Sequence, residues 1–246
     1  STPIKSSAAS DVYKRQVPDV DLNVAKIPDG VSLEAAALVG DMVTTGFHGV
    51  ELADVKFGDR VCVIGIGPVG LMSVVGCVLR GAAEIYAVGH RPVTRELAMQ
   101  YGATATIDYH DGPIVEQVMK LTGGQQIEKV IIAGGEPTVF NDALALVKYT
   151  GTVANLAGHG RTELLLPIYT NESGFGFCAH KTVTGGLCPG GRRRIERLMG
   201  MVKAGRFEPE KLITHRFYGL DGIEEAFDLM KSKNPEVIKP IIYFDK

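Results

Sequence analysis

Three glycines stand in a Gly-x-Gly-x-x-Gly pattern at residues 65–70, directly after the apolar run at 61–64. The first glycine of such a pattern permits a tight turn, the second lets a pyrophosphate approach the backbone, and the third lets helix and strand pack closely. The pyrophosphate then binds the N–H groups at the helix N-terminus. We therefore expect a dinucleotide-binding loop made of Gly65, Ile66, Gly67, Pro68, Val69 and Gly70.

The next apolar run, EIYAVG, is followed by His90 and Arg91, with no Asp or Glu beside them. In an NAD-binding site an acidic residue about 20 residues after the glycines binds the ribose 2′-hydroxyl. An arginine can instead pair with a 2′-phosphate, which a carboxylate would repel. This substitution favours NADP as the cofactor; the alternative is that Arg91 is a solvated surface residue.

The elements that would position these residues alternate along the chain. Apolar runs predict strands at 61–67, 84–89, 103–109, 129–135 and 152–158, and amphipathic stretches predict helices at 71–80, 94–102, 113–124 and 137–148. Strands separated by helices form β-α-β units with a parallel sheet. The predicted fold is therefore α/β, with a Rossmann-type doubly wound parallel sheet.

The last third of the chain has a different pattern. A glycine-rich turn with three arginines at 185–194 precedes predicted helices at 195–205 and 220–233 and a final strand at 238–244. Asp221 and Glu224 have the spacing of a capping box, with Asp in place of Ser or Thr. Residues 1–16 are polar and aperiodic, which is typical of a disordered or cloning-derived lead-in.

The composition excludes some partners and indicates a compartment. The formal net charge of −2 over 246 residues gives no basis for binding nucleic acid or an anionic membrane surface. No apolar run is long enough to cross a bilayer. The four cysteines are widely spaced, which favours buried thiols in a cytoplasmic protein: Cys62, Cys77, Cys178 and Cys188.

Several segments together carry a family resemblance. The stretches LVGDMVTTGFHGVELADVKFGDRVCVIGIGPVGLM, HKTVTGGLCPGGRRRIERL and KLITHRFYGLDGIEEAF resemble the zinc-type medium-chain alcohol dehydrogenases, in particular the tetrameric NADP-dependent secondary alcohol dehydrogenases. The resemblance runs from about Val17 to the end of the chain. It implies a dinucleotide-binding domain at 45–184, inserted into a GroES-like catalytic domain to which 17–44 and 185–246 belong. It also implies that the N-terminal catalytic part is missing.

The resemblance implies hydride transfer between NADP(H) and a secondary alcohol or ketone, assisted by zinc. The family holds its zinc by a Cys and a His from the N-terminal part and by the Asp of D-M-x-T-T-G-F-H-G, which is Asp41 here. Without the resemblance, Asp41 would be interpreted as a helix N-cap. A catalytic zinc needs three protein ligands, so we expect neither zinc binding nor turnover from this chain. We expect His48 to be a packing or surface histidine.

Other roles are implied residue by residue. Thr45 matches a threonine near the nicotinamide, and His90 stands where the family has Ser. Tyr109 and Lys233 match residues beside the 2′-phosphate, although strand-end packing and a solvated lysine are the alternatives. The implied cofactor contacts are Gly89, His90, Arg91, Tyr109 and Lys233 around the adenosine phosphate, and Leu156, Ala157 and Gly158 around the nicotinamide half.

Three functions fit these observations. The first is an NADP-dependent alcohol dehydrogenase that acts on a small secondary alcohol or ketone and assembles as a homo-oligomer, a tetramer in the family. The second is an NADP-binding fragment without catalytic activity. The third is a zinc-free quinone or enone reductase, against which the context of Asp41 argues.

Overall fold

The structure is a computed structural model that describes residues 17–160, 163 and 180–244. The predicted lead-in at 1–16 and Cys178 lie outside the described residues. No helix among the described residues is long and apolar enough to cross a membrane.

The centre of the fold is a six-stranded sheet in which every neighbouring pair is parallel. Its strands are β1 Arg60–Ile64, β2 Glu84–Val88, β3 Ala105–Ile107, β4 Ile127–Ile132, β5 Val147–Asn155 and β6 Thr182–Gly185. The strand order is β3-β2-β1-β4-β5-β6, which is the order of a dinucleotide-binding doubly wound sheet. The predicted Rossmann-type α/β fold is confirmed.

Helices precede the sheet and connect its strands. They are α1 Val20–Asn23, α2 Leu33–Leu38, α3 Thr44–Leu52, α4 Pro68–Leu79, α5 Pro92–Gln100, α6 Ile114–Leu121 and α7 Val139–Leu146. One π-helical turn, Val39–Val43, joins α2 to α3 without a break. Alternate residues of β1 enter opposite hydrophobic clusters, Val61 and Val63 on one face and Cys62 and Ile64 on the other. Burial on both faces explains why β1 is a continuous apolar run.

The C-terminal segment forms a small second unit of structure. It contains α8 Arg192–Lys203, a 3-10 turn Pro209–Leu212, β7 Ile213–Tyr218, α9 Asp221–Lys231 and β8 Lys239–Tyr243. Strands β7 and β8 pair in parallel as a two-stranded sheet.

The first and last described segments are joined by an ion pair. Nε and Nη2 of Arg216 in β7 donate to the two carboxylate oxygens of Glu34 in α2, at 2.8 and 3.0 Å. The hydroxyl of Tyr243 in β8 donates to the same carboxylate. These hydrogen bonds from Arg216 and Tyr243 hold the pKa of Glu34 below its ordinary value. The helices before the main sheet are therefore tied to the small sheet that follows it.

Some predicted details are wrong. Strands β6 and β7 were not predicted, and the helix predicted at 137–148 ends at Leu146, because Val147 already belongs to β5. Asp221 is the first residue of α9 rather than its cap, and the N-cap Leu220 makes no side-chain hydrogen bond. Cys62 and Cys77 are buried free thiols as expected, whereas Cys188 is only half-buried.

Candidate cofactor-binding site

The glycine turn after β1 has the geometry that its spacing predicts. Gly65 has φ +92°, and a Cβ there would lie 2.6 Å from the backbone nitrogen of Gly134. A Cβ on Gly70 would lie 2.0 Å from the carbonyl oxygen of Gly65, so only glycine lets α4 pack this close to the turn. A Cβ on Gly67 would meet nothing within 4 Å, which leaves open space above the turn.

Helix α4 begins directly at this turn. Gly67 is its N-cap, and Pro68 is its first residue, where a missing N–H costs nothing. The N–H groups of Val69 and Gly70 lie in the first turn, which has no intrahelical acceptors, and they are available to an anion. The start of α4 therefore suits a pyrophosphate.

A cleft of about 520 Å³ opens at the carboxyl ends of the strands. The switch point of the strand order lies between β1 and β4, which is where ligands bind in open α/β sheets. The predicted residues that line the cleft are Gly65, Ile66, Gly67, Gly89, His90, Arg91 and Tyr109. The structure thus brings together seven of the sequence-predicted positions from the ends of three strands.

Gly89 has a packing role at the end of β2. A Cβ on Gly89 would lie 2.4 Å from Cγ1 of Ile66, a residue that is 2% exposed. The glycine therefore lets the end of β2 approach the turn after β1. This approach forms the wall of the cleft on which His90 and Arg91 stand.

Arg91 is the N-cap residue of α5 and is half-buried at the edge of the cleft. Its guanidinium donates from Nη1 to the backbone carbonyl of Val237, just before β8. Burial lowers the pKa of Arg91, and the neighbouring Tyr109 opposes that shift. The guanidinium stays cationic, because arginine is not deprotonated in proteins. The rest of its planar guanidinium is positively charged and can donate hydrogen bonds to a phosphate.

Lys233 lies in a second cavity of about 310 Å³ that adjoins the cleft. His90 and Arg91 line both cavities and form the ridge between them. Lys233 follows α9 and has φ +52°, a left-handed conformation that is uncommon for lysine. The C-terminal segment therefore brings a second cation into the cavity that His90 and Arg91 also line.

Leu156, Ala157 and Gly158 follow β5 and do not belong to the lining of the cleft. The side chain of Asn155 folds over this segment: Nδ2 donates to the carbonyl of Ala157 at 3.0 Å, and Oδ1 accepts from its N–H at 3.2 Å. Leu156 packs so closely on α3 that a Cβ on Gly49 would lie 2.5 Å from its Cδ1. These contacts fix the conformation of the backbone at 156–158.

One wall of the cleft, formed by the residues after β4, was not predicted from the sequence. After β4 the residues Ala133, Gly134, Gly135 and Glu136 line it, together with Thr94, Ile114 and Val139. The signal that could have found this wall was the pair of glycines directly after the apolar run of β4, because β4 is the neighbour of β1 in this strand order. Glu136 adds the one carboxylate among the cleft-lining residues that the structure describes.

Asp41 lies in the π-helical turn, away from this cleft. The hydroxyl of Thr45 donates to Oδ1 of Asp41 at 3.2 Å and lies 3.6 Å from Sγ of Cys188. The alternative interpretation of Asp41 as an N-cap is wrong, because helical structure continues through it from α2 into α3. A π-turn inserts one residue into a helix and is frequent at functional sites.

The residues around Asp41 do not fit a zinc ion. Among residues 17–160, 163 and 180–244, no three His, Cys, Asp or Glu side chains are grouped closely enough to hold a metal. His48 is half-buried, and its Nδ1 lies 3.2 Å from Oε2 of Glu51. His48 therefore interacts with a neighbouring acid on its own helix, as expected of a packing histidine.

An arginine from the C-terminal segment fixes the start of α3. Arg194 in α8 donates to the hydroxyl of Thr44 at 2.5 Å, to its carbonyl at 3.0 Å, and to Oε1 of Glu51 at 3.0 Å. Burial would raise the pKa of Glu51, but hydrogen bonds from Arg194 and His48 outweigh it and lower the pKa. Asp41 and Thr45 therefore stand on a helix that α8 holds in place.

A family model described as zinc-binding dehydrogenase matches residues 68–203, which is more than half of the chain. The chain belongs to the zinc-binding dehydrogenase family. The NADP-dependent isopropanol dehydrogenase of Thermoanaerobacter brockii is 52% identical over 226 residues, which make up 92% of this chain and 64% of that protein. The enzyme of the same name from Clostridium beijerinckii is 49% identical with the same coverage of both chains. The expected resemblance is confirmed, and the chain spans less than two thirds of these relatives.

Solved structures show the same relationship. The zinc-dependent alcohol dehydrogenase 2 from Streptococcus pneumonia superposes with a TM-score of 0.80 at 27% identity, over 94% of this chain and 65% of that one. An alcohol dehydrogenase from Thermus sp. ATN1 gives a TM-score of 0.77 at 27% identity, over 92% and 62%. The fold of this chain is therefore that of about two thirds of an alcohol dehydrogenase.

Proposed function

We propose that this chain is the NADP(H)-binding part of an alcohol dehydrogenase that transfers a hydride between NADP(H) and a small secondary alcohol or ketone. The observation that carries the proposal is Arg91, which lines the cleft at the end of β2 where an NAD site has an acidic residue. The two relatives named for both NADP and isopropanol support the cofactor and the substrate class.

The cofactor fits the residues of the cleft. The turn at 65–70 offers the open space above Gly67 and the N–H groups of α4 to the pyrophosphate. Arg91, His90, Tyr109 and Lys233 would hold the 2′-phosphate, because two of them are cations and all four lie around the ridge between the cavities. NADP(H) supplies or accepts the hydride at C4 of its nicotinamide when it is bound. The backbone at 156–158 would orient the nicotinamide half.

We propose that Asp41 and Thr45 belong to the catalytic site of the intact protein. Their hydrogen bond places a hydroxyl beside a carboxylate that has no cationic partner among the described side chains. A catalytic zinc requires three protein ligands, and the described residues contain no group of three His, Cys, Asp or Glu side chains that could hold a metal. We therefore propose that this chain by itself binds NADP(H) without oxidising alcohols.

We also propose the domain division 17–44, 45–184 and 185–246, with the first and last parts belonging to one catalytic domain. The ion pair of Arg216 with Glu34 supports this, because it joins these two parts directly. The hydrogen bond of 2.7 Å from Ser32 to Glu210 is a second link of the same kind.

Fluorescence titration with NADPH and NADH tests the cofactor assignment. A hydrogen bond to a charged group contributes about 1.5–3 kcal/mol, so we expect roughly tenfold to hundredfold tighter binding of NADPH. The two cofactors differ only by the 2′-phosphate, so each is the control for the other. Equal affinities would overturn the proposal.

A further inference from the structure

Three rings meet at the edge of the cleft, and one of them has no assigned role. The ring centroids of His90 and Tyr109 lie 5.2 Å apart, those of His90 and His110 lie 5.1 Å apart, and those of Tyr109 and His110 lie 4.5 Å apart. His90 and Tyr109 line the cleft. His110, whose side chain is 65% exposed, touches both of them from the outside.

The hydrogen bonds of this cluster make it sensitive to protonation. The hydroxyl of Tyr109 lies 2.5 Å from Nδ1 of His90. While His90 is neutral with its proton on Nε2, its Nδ1 accepts a hydrogen bond from the Tyr109 hydroxyl. Once His90 is protonated, Nδ1 carries a proton of its own and donates to the Tyr109 oxygen, which frees the hydroxyl proton for another acceptor. Protonation therefore adds one positive charge and one available donor at the same place.

His110 contacts the carboxylate of Asp108 through both its ring and its backbone. Its Nδ1 lies 3.1 Å from Oδ1 of Asp108, and its N–H donates to the same oxygen at 3.0 Å. That backbone hydrogen bond, with the charges of His110 and Arg95, keeps the pKa of Asp108 below its ordinary value. The carboxylate of Asp108 thus stays negative and stabilises a cationic His110.

We propose that His110 acts with His90 as a protonation-dependent recognition pair for the 2′-phosphate, so that preference for NADPH over NADH rises as the pH falls. This inference rests on the proposed function, because it concerns the same cofactor in the same cleft. It assigns a specificity role to His110 and a change of charge to a position where the related family has an uncharged serine.

Charges of both signs surround the pair. Arg91 and Lys233 are cations, whereas Asp108 and Glu136 are carboxylates. The charged and titratable groups that face the pair are Arg91 and Arg95 at the start of α5, Asp108, Tyr109 and Asp111 after β3, Glu136 after β4, and Lys233 after α9. A 2′-phosphate brings about two negative charges at neutral pH and favours protonation of both histidines. By linkage, protons then strengthen phosphate binding.

The size of the effect follows from this linkage. For each imidazole whose proton affinity rises about tenfold when the phosphate binds, NADPH affinity rises roughly fivefold as the pH falls across the range in which that imidazole takes up its proton. Two histidines together give roughly 25-fold. NADH has a 2′-hydroxyl in place of the phosphate, so its affinity stays nearly constant.

The experiment is a fluorescence titration of the chain with NADPH and with NADH at pH 8.5, 7.5 and 6.5. We expect the dissociation constant of NADH divided by that of NADPH to rise by roughly five- to 25-fold as the pH falls over this range. His110→Asn and His90→Asn should each reduce that rise to about the single-histidine value, and the double variant should abolish it. His110→Lys should give a strong preference already at pH 8.5, because its charge is permanent. His48→Gln, in a helix outside the cleft, is the matched control and should keep the full dependence.

A second readout does not depend on catalysis. NMR titration of the imidazole protons should show both histidines titrating at higher pH when adenosine 2′,5′-bisphosphate is bound. A preference for NADPH that does not change with pH would overturn this inference while leaving the proposed function intact. An unchanged pH dependence in His110→Asn would remove the role of His110. Failure to bind NADPH at any pH would overturn both proposals.

Discussion

The guanidinium of Arg91 donates a hydrogen bond to the backbone carbonyl of Val237, 146 residues further along the chain. This contact connects the cofactor cleft to the segment that leads into β8. The side chain that we assign to the 2′-phosphate is therefore positioned by the C-terminal part of the chain and not by α5 alone. A change at Arg91 consequently affects both cofactor recognition and the attachment of this segment.

We expect Arg91→Ala to weaken NADPH binding by about tenfold to hundredfold and to leave NADH binding nearly unchanged, because NADH carries no 2′-phosphate. Arg91→Lys keeps the charge but loses the planar fork and should fall between the two. Arg80→Ala, at an exposed position after α4, is the matched control. The measurement is fluorescence titration, and an equal loss for both cofactors in Arg91→Ala would contradict the assignment.

Substitutions of Gly67 and Gly70 should have different effects, one on cofactor binding and the other on stability. Gly67 has φ −74°, and a Cβ added there would meet no atom within 4 Å. We therefore expect Gly67→Val to fold normally. Its side chain should block the pyrophosphate and weaken binding of NADPH and NADH alike, by at least about tenfold. Gly70→Ala should lower the free energy of unfolding by about 1–3 kcal/mol or more, because its Cβ would overlap the carbonyl of Gly65. Denaturation and titration of both variants check this. Normal stability in Gly70→Ala would argue against so close an approach of helix α4 to the turn.

Glu128 predicts a pH dependence of stability. Its carboxylate in β4 accepts hydrogen bonds from Arg60 in β1 and Lys148 in β5, at 2.9 and 2.8 Å. Burial opposes ionisation, but these hydrogen bonds outweigh it and lower the pKa of Glu128 to about 2. Because the pKa is lower in the folded state, the stabilisation is fully present above the ordinary value of 4.5 and is lost as the pH falls toward 2.

Glu128→Gln should therefore lower the free energy of unfolding by about 1–3 kcal/mol at pH 7. The difference in free energy of unfolding between wild type and this variant should become smaller below about pH 4. Urea denaturation at several pH values measures it. Glu225→Gln, on the exposed face of α9, is the control and should change little at any pH. A difference between wild type and Glu128→Gln that stays constant down to pH 2 would show that the ion pair is not its source.

Metal analysis should find well under one zinc per chain after dialysis, because the described residues contain no group of three side chains that could hold a metal. The same preparation should not oxidise 2-propanol with NADP. Asp41→Asn should have the same metal content as the unmodified chain. Stoichiometric zinc that is lost in Asp41→Asn would show instead that this chain completes a metal site.

Self-association should involve the edge of the main sheet. Strand β6 is the last strand of the sheet as described, Val183 within it is 48% exposed, and Leu187 just beyond it is 97% exposed. An edge strand presents unpaired N–H and C=O groups to another chain. We expect sedimentation to show an oligomer that Val183→Lys with Leu187→Ser weakens, whereas Phe57→Ser, at another exposed position, does not. A soluble monomer of the unmodified chain at micromolar concentration would contradict this.

The sequence predicted those parts of the fold that have a strong local signal. Strands β1, β2 and β4 are buried on both faces and appear as apolar runs, and the glycines at 65, 67 and 70 mark the turn. Strand β6 has the sequence TVTG and is mostly exposed, so no apolar run reveals it. The boundary between α7 and β5 has no Gly or Pro, and the helix was therefore predicted too long.

The cleft was only partly predictable for a related reason. Arg91 and the glycine turn are marked by local spacing, whereas Glu136 enters the cleft because β4 lies next to β1. The hydrogen bond between Arg91 and Val237 and the approach of Lys233 depend on how the C-terminal segment folds back, which no local pattern specifies. The ring contacts of His110 depend likewise on tertiary packing.

The position of β1 at the centre of an all-parallel sheet has a consequence for folding kinetics. Its register places Val61 beside Ile85 on one side and beside Lys129 on the other, so its second partner lies far along the chain. No two neighbouring strands of this sheet can pair through a hairpin, and each pairing requires its crossover segment first. Proteins dominated by such distant contacts fold slowly. The edge of β1 that pairs with β4 therefore stays unpaired until β4 has been synthesised, and an unpaired strand edge promotes aggregation.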